Sequence, residues 1–186
     1  WMSRLGLATD GSANGVTVLK QGWGVEPLTE GQAACVSTMS YNEYWVVRDA
    51  GYTPEQLTVF KYQAEGASTL EDGLYVLEKN LGDDSFKDKM VRFVRASMKG
   101  WKYAEANPKE AASIILDNDD AGVQTEKHQI RMMGEIAKLT AGSNGSLDPS
   151  DYERTVKVLM SGASDPVITK EPSGAWTHDI TNAALN

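Results

Sequence analysis

The chain has 186 residues, of which 41% are apolar and 24% charged, so it can bury a core of its own. Its net charge of −8 at pH 7 argues against nucleic acid and anionic membrane surfaces as binding partners, because both bind to clusters of lysine and arginine. A membrane-spanning helix needs about 18 consecutive apolar residues, and no apolar stretch of the sequence approaches that length. Because Cys35 is the sole cysteine, the chain can form neither an internal disulfide nor a multi-cysteine metal site. Cys35 is expected to be a small buried residue.

The first eighty residues combine short apolar runs with glycine-rich turns. A helical turn ending at Gly6 resembles the end of a longer helix, so an N-terminal portion is expected to be missing. A short helix is predicted over 26–30, with proline in its first turn, and another over 41–50, capped by Ser40. Strands are predicted at four apolar runs: 16–19, 33–37, 57–60 and 74–77. Alternation of strand and helix predicts an α/β fold.

From residue 84 the apolar spacing becomes helical. Helices are predicted over 84–106, 108–117 and 125–139, and a fourth begins after Asp148. The tail from residue 161 is rich in turn formers. A stripe on the first of these helices is expected to lie in the core: Phe86, Met90, Val94, Met98 and Trp101.

Enzyme motifs are absent from the sequence. His128 and His178 belong to no metal-binding or nucleophile–base pattern, and each is expected to be a packed or solvated histidine. Glu71 and Asp72 are adjacent, so in an extended chain they would point to opposite sides, which is unsuited to a catalytic dyad. No catalytic residue, metal or cofactor is therefore predicted.

Aromatic and polar residues concentrate in two segments, 21–24 and 37–45. The second lies where a predicted strand meets a helix start, a place where α/β proteins bind ligands. Trp23 and Tyr41 can stack on a flat ring, whereas Asn42 and Glu43 can bond its ring nitrogens and amino groups. This set suits a neutral or amino-bearing heterocycle better than a sulfonate or nitrate. The alternative is that the aromatic residues only pack a helix onto a sheet: Tyr41, Tyr44 and Trp45.

Three segments resemble solute-binding proteins of ABC importers: Gly-Gln-Ala-Ala-Cys-Val at 31–36, Met-Ser-Tyr-Asn-Glu-Tyr at 39–44 and Leu-Glu-Asp-Gly-Leu-Tyr-Val at 70–76. They are most similar to the branch that binds thiamine pyrimidine precursors and is related to eukaryotic pyrimidine synthases. Ser40 stands where that branch has threonine, and Ala34 stands where it tends to have aspartate, which removes a carboxylate. The pattern of helices from residue 84 onward is also similar to that of sulfonate, taurine and nitrate binders. It therefore indicates the superfamily and does not indicate the ligand.

The resemblance implies a type II periplasmic binding fold, in which two α/β lobes are joined by hinge crossings and the ligand lies in the cleft. Residues 1–62 would form most of the second lobe, 63–73 a hinge crossing, and 74–186 the mostly helical return of the first lobe, all within an N-terminally truncated portion. Glu71 and Asp72, at the crossing, would either line the cleft or cap the hinge turn.

The implied function is capture of a small aromatic heterocycle, such as a thiamine pyrimidine precursor, by the solute-binding component of an ABC importer. Such a protein is expected to be a periplasmic or lipid-anchored monomer that docks on permease subunits and is not an enzyme. Three alternatives stay open: a binder of sulfonate, taurine, nitrate or a riboflavin-type ligand, a sensory domain of the same fold, and a pyrimidine-synthase-like enzyme, whose Cys-rich motif this sequence lacks.

Overall fold

Helices account for the regular structure of this computed structural model, which describes residues 1–161 and 166–185. Short 3-10 turns occur at Met2–Leu5, Pro54–Gln56 and Glu78–Gly82. No described helix combines the length and the apolar character needed to cross a membrane. The α-helices of the described residues are α1 (Glu26–Thr29), α2 (Glu43–Asp49), α3 (Asp84–Ala106), α4 (Pro108–Asp117), α5 (Glu126–Thr140), α6 (Pro149–Met160) and α7 (Asp179–Leu185).

Local sequence signals explain where these helices begin. Pro108 occupies the first position of α4, where its missing N–H costs nothing. Thr125 caps α5 by accepting the His128 N–H at 3.3 Å, and Asp148 caps α6 by accepting the Ser150 N–H at 2.8 Å. The predicted helices from residue 84 onward are therefore confirmed, whereas α7 was not predicted.

None of the four predicted strands forms within the part of the chain that the structure describes. Most apolar side chains of these runs are exposed, as with Val18 at 64% and Tyr75 at 82% exposure, and none of them is buried. A strand exists only when a neighbour takes up its backbone N–H and C=O groups, and β-branched composition does not supply that neighbour. The predicted α/β class is thus not confirmed, because helices are the only regular elements of the described residues.

The chain divides into two compact units. The first comprises 1–18, 59–92 and 145–186, and the second comprises 19–58 and 93–144. In the first unit, Val156 and Ala184 are buried, and two aromatic groups pack: Trp1 with Phe60 at a centroid distance of 5.0 Å, and Trp176 with Tyr152 and His178 at 6.2 and 4.8 Å.

In the second unit, α4 packs against α5. Ala112 is fully buried and Met133 is 5% exposed, so small and flexible apolar side chains fill this core. Val47 of α2 is also buried, at 3% exposure. The predicted core stripe of α3 is only half-buried, and the expectation for Trp101 is wrong, since that side chain is 46% exposed.

Candidate functional site

The first turn of α2 carries two of the predicted binding residues. Asn42 is the N-cap residue, so the prediction that Ser40 caps this helix is wrong. Glu43 closes the turn with both carboxylate oxygens: Oε2 accepts the Met39 N–H at 2.8 Å, and Oε1 accepts the Asn42 Nδ2–H at 2.9 Å. Asn42 and Glu43 are therefore fixed in one geometry before any ligand arrives.

His128 of α5 extends this network. Its Nε2 lies 2.8 Å from Oδ1 of Asn42, and an amide oxygen can only accept, so Nε2 is the donor. The imidazole thus orients the Asn42 amide, whose nitrogen in turn donates to Glu43. Sequence patterns could not identify this role, because Asn42 and His128 are 86 residues apart.

Gln21 joins the segment 21–24 to the segment that leads into α2. Its Nε2 donates to the Ser37 carbonyl at 2.9 Å and to the Gly24 carbonyl at 3.2 Å, while its Oε1 accepts the Ser37 N–H at 2.9 Å. Trp23 stands between Gln21 and Gly24 and is fully exposed. The two predicted stretches are therefore linked by side-chain bonds that the sequence did not reveal.

The aromatic residues that follow have different surroundings. Tyr41 is half-buried. Tyr44 meets Trp45 edge-to-face at a centroid distance of 5.3 Å, and the Arg131 guanidinium lies 4.8 Å from the Trp45 ring centroid. Tyr44 and Trp45 therefore pack against protein groups, whereas Trp23 presents its whole ring to solvent.

Asp49 at the C-terminal end of α2 binds α5. Its carboxylate pairs with Arg131 at 3.0 Å and with Lys127 at 3.1 Å. Hydrogen bonds from Arg131 and then from Lys127 lower the pKa of Asp49 below its usual value. Together with the bond between His128 and Asn42, these ion pairs hold both ends of α2 against one helix.

Replacing Asp49 by asparagine is expected to lower the free energy of unfolding at pH 7 by about 0.2–1 kcal/mol, the range for exposed ion pairs. Because the folded-state pKa of Asp49 is depressed, its contribution exists at neutral pH and is lost as the pH falls through that pKa. Urea denaturation of both proteins, from pH 7 down toward pH 3, measures the difference. Asp88→Asn, which removes the exposed pair with Arg92 on α3, is the control. A loss for Asp49→Asn that does not shrink in acid would contradict this account.

The other two predicted site residues belong to the first unit. Glu71 and Asp72 are both exposed, and neither carboxylate has a partner among residues 1–161 and 166–185. The Leu70 N–H donates to Thr155 Oγ1 at 2.8 Å, which anchors the backbone just before them. Their proposed part in binding remains a prediction.

Cys35 is exposed, so the prediction that it is buried is wrong. The apolar run around it has no sheet to enter, because the described chain forms no strand. Among the residues with described positions, no group of three or more His, Cys, Asp or Glu side chains could hold a metal ion.

Comparison with known proteins gives one finding. The family model described as "NMT1/THI5 like" matches residues 3–111, which is more than half of the chain. No curated protein and no solved structure matches the chain significantly. The matched range contains Trp23 and the first turn of α2, and it ends before α5.

Proposed function

The chain belongs to the NMT1/THI5-like family, and on that basis we propose that it is the solute-binding component of an ABC importer. The ligand is a small aromatic heterocycle of the thiamine pyrimidine-precursor type. The protein acts outside the cytoplasmic membrane, periplasmic or lipid-anchored, as a monomer that delivers its ligand to permease subunits. It binds this ligand without transforming it.

One observation carries the proposed ligand class. Trp23 is fully exposed at the tip of a short loop. Gln21 closes this loop through the Gly24 carbonyl and ties it to Ser37, which precedes α2 in the chain. An indole in solvent contributes nothing to the folded core, but stacking of a heterocycle on its face is worth roughly 1–3 kcal/mol. Ser37, which Gln21 binds, lies five residues before Asn42 in the chain. The side chains of Asn42 and Glu43 can form hydrogen bonds with the substituents of a ring.

The electrostatics of α2 and α5 favour a neutral or amino-bearing ligand over a sulfonate or nitrate. Each lysine and arginine of these helices has a partner: Arg48 donates to the Tyr52 carbonyl, Lys127 and Arg131 bind Asp49, and Lys138 binds Glu135. These partners already offset much of the positive charge that would attract an anion. Glu43, by contrast, retains a second lone pair on each oxygen and can accept from an amino group.

The proposal is tested by calorimetric titration of the chain with an aminomethylpyrimidine thiamine precursor, with riboflavin and taurine titrated alongside. We expect binding of the pyrimidine alone. Taurine binding without pyrimidine binding would overturn the ligand class, and binding of none of the three would overturn the proposed capture function for this ligand set.

Glu43→Gln is expected to weaken pyrimidine binding roughly tenfold, because a bond to a charged acceptor becomes a neutral one. The glutamine carbonyl can still accept the Met39 N–H, but its NH2 group cannot accept from the Asn42 amide, so we expect a small fall in the thermal unfolding midpoint from this one lost bond. Glu153→Gln, on an exposed position of α6, is the matched control. Equal affinities of Glu43→Gln and the unaltered chain, measured by the same titration, would remove Glu43 from the binding site.

A further inference from the structure

We propose that Gln21 is a positioning residue, which holds Trp23 in place for ligand stacking by fastening its loop to Ser37. This inference rests on the proposed function and adds to it a role for Gln21 that neither the sequence patterns nor the family match identifies. Gln21 itself is half-buried and precedes Trp23 by two residues.

The hydrogen bonds of Gln21 use the full capacity of its amide nitrogen. The two Nε2 hydrogens go to different carbonyls, Ser37 at 2.9 Å and Gly24 at 3.2 Å, and Oε1 takes the Ser37 N–H at 2.9 Å. Both backbone polar groups of Ser37 are therefore satisfied by one side chain. This is the pattern that a paired strand residue would provide, in a region where the described chain forms no strand.

The same amide closes the loop that carries Trp23. The bond from Gln21 to the Gly24 carbonyl spans three residues and leaves Trp23 at the tip. The next residue, Val25, is 4% exposed, so the loop ends on a buried anchor. Glycines flank Trp23 on both sides and would give this segment wide conformational freedom if Gln21 did not restrain it.

Restraint of the Trp23 loop is expected to affect the affinity for the ligand much more than the free energy of unfolding. A fully exposed indole makes no packing contact that would hold it in position. If Trp23 had to be ordered when the ligand binds, the conformational entropy lost would subtract from the stacking energy. Gln21 removes the backbone part of that cost before binding, because its bonds already fix both ends of the loop.

The test compares the unaltered chain with Gln21→Met, which keeps the length of the side chain but has no amide. Gln32→Met is the matched control, because Gln32 is an exposed glutamine whose side chain, among the described residues, bonds only to the Glu30 side chain, at 2.8 Å. Two quantities are measured: the affinity for the aminomethylpyrimidine precursor, and the fluorine NMR signal of Trp23 in chains labelled with fluorotryptophan. Trp23→Phe assigns that signal among the five tryptophans.

We expect Gln21→Met to weaken pyrimidine binding roughly tenfold and to shift and sharpen the Trp23 signal, while the other tryptophan signals stay in place. Gln21→Glu, whose carboxylate can accept the Ser37 N–H but can donate to neither the Ser37 nor the Gly24 carbonyl, should not restore the signal position. An unchanged Trp23 signal, or unchanged affinity in a protein that binds the pyrimidine, overturns the role of Gln21 alone. Failure of the unaltered chain to bind the pyrimidine overturns the proposed function instead, so the two failures are distinguishable.

Discussion

Replacing Trp23 by alanine is expected to weaken binding of the aminomethylpyrimidine precursor by roughly 10- to 100-fold, the equivalent of one lost base–aromatic stack. The side chain is fully exposed, so its removal creates no cavity in the protein. The thermal unfolding midpoint should therefore stay where it is. Calorimetric titration gives the affinity, and a thermal melt monitored by circular dichroism gives the midpoint.

Trp101→Ala is the matched control for this experiment. Trp101 is also a tryptophan with substantial exposure, 46%, but it belongs to α3 and was not predicted to bind ligand. Its removal should leave pyrimidine affinity unchanged. If Trp23→Ala and Trp101→Ala bound the pyrimidine equally well, stacking on Trp23 could not be the basis of recognition.

Met133→Ala is expected to have the largest effect on stability, a loss of about 2–4 kcal/mol in the free energy of unfolding. Met133 is 5% exposed on α5, which packs against α4, and truncation leaves a cavity that the neighbouring helix can only partly fill. Unfolding in urea, followed by circular dichroism, measures the change. A loss of this size is a large fraction of the stability of a typical domain.

Leu139→Ala on the same helix separates burial from helix propensity. Leu139 is 58% exposed, so its truncation should cost less than about 0.5 kcal/mol. A loss for Met133→Ala no greater than that for Leu139→Ala would mean that Met133 does not belong to the core of the second unit.

The helices could be predicted from the sequence because their signals are local. Pro108 and the caps Thr125 and Asp148 act within one turn of the residues they affect, so each helix start is determined by neighbours in the chain. The strands could not be predicted in the same way. Runs such as 74–77 have suitable composition, but pairing depends on a distant segment, and the described chain provides none.

The candidate site shows the same division. Tyr41, Asn42 and Glu43 could be proposed from the sequence because they precede and begin a helix. The bonds by which Gln21 and His128 orient this region could not be predicted, since Ser37 and Asn42 are 16 and 86 residues away from them. Local patterns therefore identified the residues that were proposed to touch the ligand, whereas only the structure revealed the residues that orient them.

Cys35 gives the protein a practical property. It is the only cysteine of the chain, it is exposed, and it stands two residues before Ser37, where Gln21 fastens the Trp23 loop. A maleimide dye would therefore label each molecule once, at a defined point close to the candidate site. An environment-sensitive dye at Cys35 would convert ligand capture into a change of emission, so this chain is a natural starting point for a reagentless optical sensor.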